Sequence, residues 1–125
     1  MTRHILVVEP QRAVGNTISD MLQSVGYRVT AVDGGELMRG LLETVKFDGL
    51  ILDATLRGEH SESLAAHAKK LRLPLVVISG RDAVMLDARV RGLQLLHKPF
   101  RIRDLVDALD EAFRSGEFGR REEAP

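Results

Sequence analysis

The sequence of 125 residues contains no cysteine. Disulfides, thiolate catalysis and thiolate metal sites are therefore excluded. Neither sign of charge is in excess, with 18 Lys and Arg against 18 Asp and Glu. That balance argues against a dedicated nucleic-acid surface or a surface for anionic membranes. No apolar run approaches membrane-spanning length. Met1-Thr2-Arg3-His4 leads directly into a short apolar run and does not read as a signal peptide. No internal repeat, long linker or second domain is visible. The expectation is one cytoplasmic domain, large enough to bury roughly two-thirds of its unfolded surface.

What is present is a series of short apolar runs separated by amphipathic stretches. Ile5-Leu6-Val7-Val8 reads as a buried strand ending at Glu9, with Pro10 as the first residue of a helix. Val14, Ile18, Met21, Leu22 and Val25 mark one face of that helix, and Gly26 its C-terminal cap. Tyr27 to Val32 begins by alternating apolar and polar residues, as an edge strand does. Asp33-Gly34-Gly35 reads as a turn into a second helix faced by Leu37, Leu41, Leu42 and Val45. Gly49-Leu50-Ile51-Leu52-Asp53 is apolar enough to be buried on both faces of a sheet. A weaker helix carries Leu64, Ala68 and Leu71 inward, with Ser61 and Ser63 as possible caps. Leu75-Val76-Val77-Ile78 is a fourth strand ending at Ser79-Gly80, followed by a short charged helix with Val84, Met85 and Ala88. Leu93 to His97 is a fifth strand ending at Lys98-Pro99-Phe100. Ile102, Leu105, Val106, Leu109, Ala112 and Phe113 line a last helix. Residues 1–114 form the domain, and 115–125 are expected to be a flexible C-terminal tail.

Alternation of strands and helices through short links forces a doubly wound parallel α/β sheet. In such a sheet, ligands and chemistry sit at the carboxyl ends of the strands. Those ends carry Glu9, Asp53, Ser79 and Lys98. Asp53 suits a nucleophile that carries an aspartyl phosphate. Glu9 suits a ligand for Mg²⁺, which prefers oxygen. Lys98 can offset charge on a transferred group, and the Ser79 hydroxyl can donate to a phosphoryl oxygen. Each residue alone has a plainer reading, as a strand-end or solvated side chain. Together, at four correctly ordered strand ends, they point to phosphoryl transfer.

From His4 to Phe113 the chain resembles the receiver domains of bacterial response regulators. The matching stretches are Ile-Leu-Val-Val before an acidic position, Leu-Ile-Leu-Asp, Leu-Pro-Leu-Val-Val-Ile-Ser-Gly and Lys-Pro-Phe, in that order. The resemblance implies a flavodoxin-like (βα)5 fold with strand order 2-1-3-4-5. It also implies phosphorylation of Asp53 by a histidine kinase or phosphotransfer protein, and often a cis bond before Pro99. A metal site would use Glu9, Asp53 and the main-chain carbonyl of Thr55 for Mg²⁺. With no output domain visible, a stand-alone receiver would signal through contact with a downstream protein.

The departures are specific. The family carries two adjacent acids after strand one, and this chain has Glu9-Pro10. The family's inward-turning aromatic in strand five is Leu95 here. The usual proline after the acceptor is missing from Leu56-Arg57-Gly58, and the stretch from Ser79 to Lys98 is short. A weak metal site is expected from these changes. They also keep open a second reading, a degenerate pseudo-receiver that binds partners without phosphorylation. Asp53-Ala54-Thr55 is loosely similar to the nucleophile motif of haloacid-dehalogenase-type phosphatases, but Thr55 stands where that family has its second acid. His60 and His67, seven residues apart, do not make a metal pair. Gly34-Gly35 lies before the second helix and is not a dinucleotide fingerprint.

Overall fold

A computed structural model of the chain describes residues 2–55, 61–80 and 94–123, with the backbone alone for 61–62 and 116–123. Among these, five parallel strands form one sheet in the order β2-β1-β3-β4-β5. They are β1 (His4–Val8), β2 (Arg28–Val32), β3 (Gly49–Asp53), β4 (Leu75–Ser79) and β5 (Gln94–His97). The helices are α1 (Arg12–Ser24), α2 (Gly35–Thr44), α3 (Ser61–Lys70) and α4 (Ile102–Glu123). The expected strand order and α/β architecture are both present. The Leu56-Arg57-Gly58 loop and the short charged helix around Val84 lie outside the described residues.

Strand alternation divides the apolar residues between two layers. Ile5, Val7, Ile51, Val76 and Ile78 meet α1 and α4 through Ile18, Leu22, Leu105 and Leu109. Leu6, Val8, Leu50, Leu52 and Val77 meet α2 and α3 through Met38, Leu64 and Ala68. Every residue of β3 and β4 is buried, as continuous apolar runs predict, while β2 is partly exposed at the edge. Burying an aliphatic side chain contributes about 1.5–3 kcal/mol. The two layers therefore hold the central strands from both sides.

Helix boundaries depart from the sequence expectation in physically informative places. Pro10 is not the first residue of α1. Gln11 is the extended N-cap, so the chain takes one more step between sheet edge and helix layer. Val25 lies past α1 and is about half exposed. There, Gly26 at φ 99° lets its N–H reach the Gln23 carbonyl and the Tyr27 N–H reach that of Leu22, at 3.1 Å each. Helix α3 ends by the same pattern with Arg72 at φ 57°, which turns Leu71 out to solvent. On α2 the buried residue is Met38, not Leu37, and Val45 is also exposed. Leu37 instead lines a cleft of about 280 Å³ with Arg12, Asn16 and Asp33, beside Glu9. The last helix does not stop at Phe113 but runs through Glu123, so residues 115–123 continue the helix where a tail was expected.

The amino edge of the sheet is clasped by short-range contacts. Asp48 Oδ2 accepts the His4 N–H at 2.7 Å, and the Asp48 N–H donates to the His4 carbonyl at 2.8 Å. The His4 ring packs on Phe47 and lies 2.7 Å from the Thr30 hydroxyl. Burial, then the Arg28 charge, lowers the His4 pKa below 6.5. Gly49 opens β3 in a tight place, where a Cβ would lie 3.1 Å from Ile5 Cδ1 and 3.2 Å from Phe113 Cε1 and would have to push those side chains aside.

Candidate functional site

Parallel register decides which side chains meet at the carboxyl edge. Val8 pairs with Leu52, Asp53 with Ile78, and Ser79 with His97. The next residue after β1 is therefore Glu9, beside Asp53, and the next after β5 is Lys98, one position past the Ser79–His97 pair. Glu9 is still tied to the ladder through its N–H on the Val32 carbonyl at 3.0 Å. The Lys98 N–H donates to the Ser79 carbonyl at 2.9 Å. The Lys98–Pro99 bond is cis.

The side chains then converge. Lys98 Nζ donates to Asp53 Oδ2 at 2.6 Å and to Glu9 at 3.0 and 3.2 Å. Glu9 and Asp53 are nearly inaccessible, at 2% and 1% exposure. Ser79 is fully buried at the end of β4. Thr55 sends both its N–H and its hydroxyl to Asp53 Oδ1, the former at 2.7 Å. The N–H of Gln11, the N-cap of α1, donates to Glu9 Oε1 at 3.3 Å.

Two carboxylates facing one ammonium do not titrate alike. Burial raises the Glu9 carboxyl above its usual 4.5, and the neighbouring Asp53 adds to the rise against the opposing pull of Lys98. Burial would also raise Asp53, but hydrogen bonds from Glu9, Lys98 and Thr55 outweigh it and hold the carboxyl below 3.8. Burial would lower Lys98, but its bonds to both carboxylates outweigh that and raise it above 10.5. Of the two carboxyls, Glu9 is the one pushed up and Asp53 the one held down.

Glu9, Asp53 and Lys98, all named from the sequence, meet directly. Ser79 joins the same edge, tied to Lys98 through its backbone. The Thr55 hydroxyl on Asp53 was not legible in the sequence, because nothing in Asp-Ala-Thr says which way a loop hydroxyl turns. Two carboxylates can hold Mg²⁺, which keeps several waters. Pro10 supplies no third carboxylate, and among the described residues no group of three or more His, Cys, Asp or Glu forms a metal cluster. The donor set fits a two-carboxylate site only.

A parallel sheet in the order 2-1-3-4-5 with this constellation at its carboxyl edge defines a flavodoxin-like, CheY-type domain. No protein-family model matches the chain. YbdJ of Bacillus subtilis, an uncharacterized transcriptional regulatory protein, is 34% identical over 109 residues, covering 82% of this chain and 47% of YbdJ. The transcriptional regulatory protein PdtaR of Mycobacterium tuberculosis is 31% identical over 116 residues, covering 88% of this chain and 56% of PdtaR. A CheY-like receiver domain from Methanospirillum hungatei superposes with a TM-score of 0.82 at 20% identity, covering 95% of this chain and 99% of that one. Full-length FixJ from B. japonicum superposes with a TM-score of 0.84 at 23% identity, covering 97% and 63%. The chain is a receiver domain of the response-regulator family. It spans about half the length of the curated relatives it matches. No helix among the described residues is long and apolar enough to cross a membrane.

Proposed function

We propose that this receiver accepts a phosphoryl group on Asp53 from a histidine kinase or phosphotransfer protein. It signals by contact with a downstream protein in the cytoplasm, as an acceptor and not as an enzyme that turns over a substrate. The observation that carries this reading is the buried Asp53 at the end of β3, with Lys98 Nζ 2.6 Å from Oδ2. A carboxylate oxygen of Asp53 attacks phosphorus, the P–O bond forms, and the P–N bond to the donor imidazole breaks with its electron pair leaving on nitrogen. Lys98 then offsets charge on the phosphoryl oxygens, and the Ser79 hydroxyl donates to one of them. Glu9, Asp53 and the Thr55 main-chain carbonyl would hold Mg²⁺, which when bound supplies further positive charge to the phosphoryl oxygens.

The second reading, a degenerate receiver that works without phosphate, is favoured by Pro10 in place of an acid and by both Glu9 oxygens closing on Lys98. Incubation with Mg²⁺ and a small phosphodonor, read by intact mass, separates the two. The expected result is a single phosphoryl adduct on the wild type and none on Asp53→Asn. An adduct that persists in Asp53→Asn refutes the acceptor assignment, and no adduct on the wild type shifts the weight to the degenerate reading.

A further inference from the structure

The dipeptide Asp-Gly occurs twice in the chain, at Asp33-Gly34 and at Asp48-Gly49. In this pair the side-chain carboxyl reaches the next backbone nitrogen with least hindrance, because glycine has no Cβ and a wide choice of backbone angles. The fold treats the two copies differently. Asp48 Oδ2 accepts the His4 N–H, and the Asp48 N–H donates to the His4 carbonyl. Gly49 is buried as the first residue of β3, against Ile5 and Phe113. Asp33 and Gly34 instead form the exposed bend between β2 and α2. A Cβ built on Gly34 would meet nothing within 4 Å. The Asp33 carboxylate is 40% exposed and is held by Arg12 at 3.3 Å, itself 86% exposed, and a surface pair of that kind restrains little.

We propose that Asp33 is a site of spontaneous covalent modification, isomerising to isoaspartate through a cyclic imide with Gly34, while the fold protects Asp48. The inference is independent of the role of Asp53. The Gly34 nitrogen attacks Asp33 Cγ, a C–N bond forms, and the bond from Cγ to its hydroxyl oxygen breaks. The hydroxyl leaves as water with the proton from nitrogen. Water then adds at the Asp33 main-chain carbonyl carbon. The bond from that carbon to the Gly34 nitrogen breaks, and its electron pair and a proton go to nitrogen. One water is lost and one regained, and nothing else is consumed. The chain now runs through the Asp33 side chain, so the link between β2 and α2 is longer by one atom. The free carboxylate has moved onto Cα, and the ion pair with Arg12 is not kept as it stands. Arg12 and Asp33 both line the cleft beside Glu9, so the modification rebuilds one wall of that cleft.

The test ages the folded chain at neutral pH, digests it, and locates isoaspartate by mapping the peptides. The probe is enzymatic methylation by a protein isoaspartyl methyltransferase with S-adenosylmethionine. Isoaspartate is expected to accumulate about tenfold faster at Asp33 than at Asp48, because Asp48 must first be released from its bonds to His4. In denaturant the two sites should react at similar rates, which assigns the difference to the fold. Gly34→Ala introduces its methyl group into open space at an extended backbone position, so the fold is kept, as circular dichroism can check. The variant should slow the reaction at Asp33 and leave Asp48 unchanged. No isoaspartate at Asp33 in the folded chain, or accumulation at Asp48 as fast as at Asp33, overturns the proposal. An undiminished rate at Asp33 in folded Gly34→Ala overturns it as well.

Discussion

At the carboxyl edge of the sheet, Glu9, Asp53 and Lys98 place two acids and one base within hydrogen-bonding distance of each other, almost out of water. At the amino edge, His4, Thr30, Phe47 and Asp48 close the same strands with a ring contact and paired bonds between neighbours. The strands between the edges are the same, so the contrast lies in what happens when a partner is lost. Removing Lys98 from the carboxyl edge leaves two buried carboxyls without their counterpart. At the amino edge each contact is settled locally, and its loss stays local. The carboxyl edge depends on partnered buried charges, and the opposite edge helps hold the strands in register.

The largest effect should come from Lys98→Met, which strands both carboxylates. Breaking a buried pair costs 3–5 kcal/mol, and with Lys98 a quarter exposed a loss of about 3 kcal/mol is expected in denaturant unfolding. A loss below about 1 kcal/mol would mean that the carboxyl edge is as forgiving as the other.

Glu9→Gln should act in the opposite direction and more weakly. Because the folded-state pKa of Glu9 is raised, the folded protein binds its proton more tightly than the unfolded chain. Wild type therefore loses stability as pH climbs from 4.5 through the raised value. Glutamine removes that loss and still offers an oxygen to Lys98. Glu9→Gln should be more stable than wild type by about 1 kcal/mol at pH 7, with the gain vanishing near pH 4. A gain of equal size at both pH values would show that the charge of Glu9 is not its cause.

The smallest effect belongs to the amino edge. Arg72 adopts φ 57° at the end of α3, where α1 uses Gly26. Arg72→Gly should raise stability by about 0.5 kcal/mol, seen as a small upward shift in Tm. A drop in Tm would show that the Arg72 side chain holds that end more firmly than the backbone strains it.

The sequence read well where burial was two-sided. The apolar runs of β3 and β4 leave no alternative to a central strand, and register then carries Glu9, Asp53, Ser79 and Lys98 to one edge. It read less well where one choice depended on an unseen neighbour. Leu37 and Met38 are adjacent apolar residues, and periodicity alone does not say which turns inward until the helix start is known. Val25 and Leu71 continue an apolar spacing, but the backbone leaves the helix beneath them. Arg72 carries no glycine signal, although it adopts the conformation glycine favours. The continuation of α4 past Phe113 has no strong stop signal against it, since Gly116 and Gly119 weaken a helix without ending it. The Thr55 hydroxyl and the His4–Asp48 clasp depend on side-chain directions that spacing does not encode.

The sheet order has one more consequence, for fluctuations. β3 is hydrogen-bonded on both sides, to β1 and β4, whereas β2 is bonded on one side only. Proteins open first where the fewest neighbours must be released. An excursion that frays β2 away from β1 leaves both of β3's ladders intact, and with them the seat of Asp53. Asp53 is thus carried by the central strand of the five, and transient opening of the edge need not disturb it.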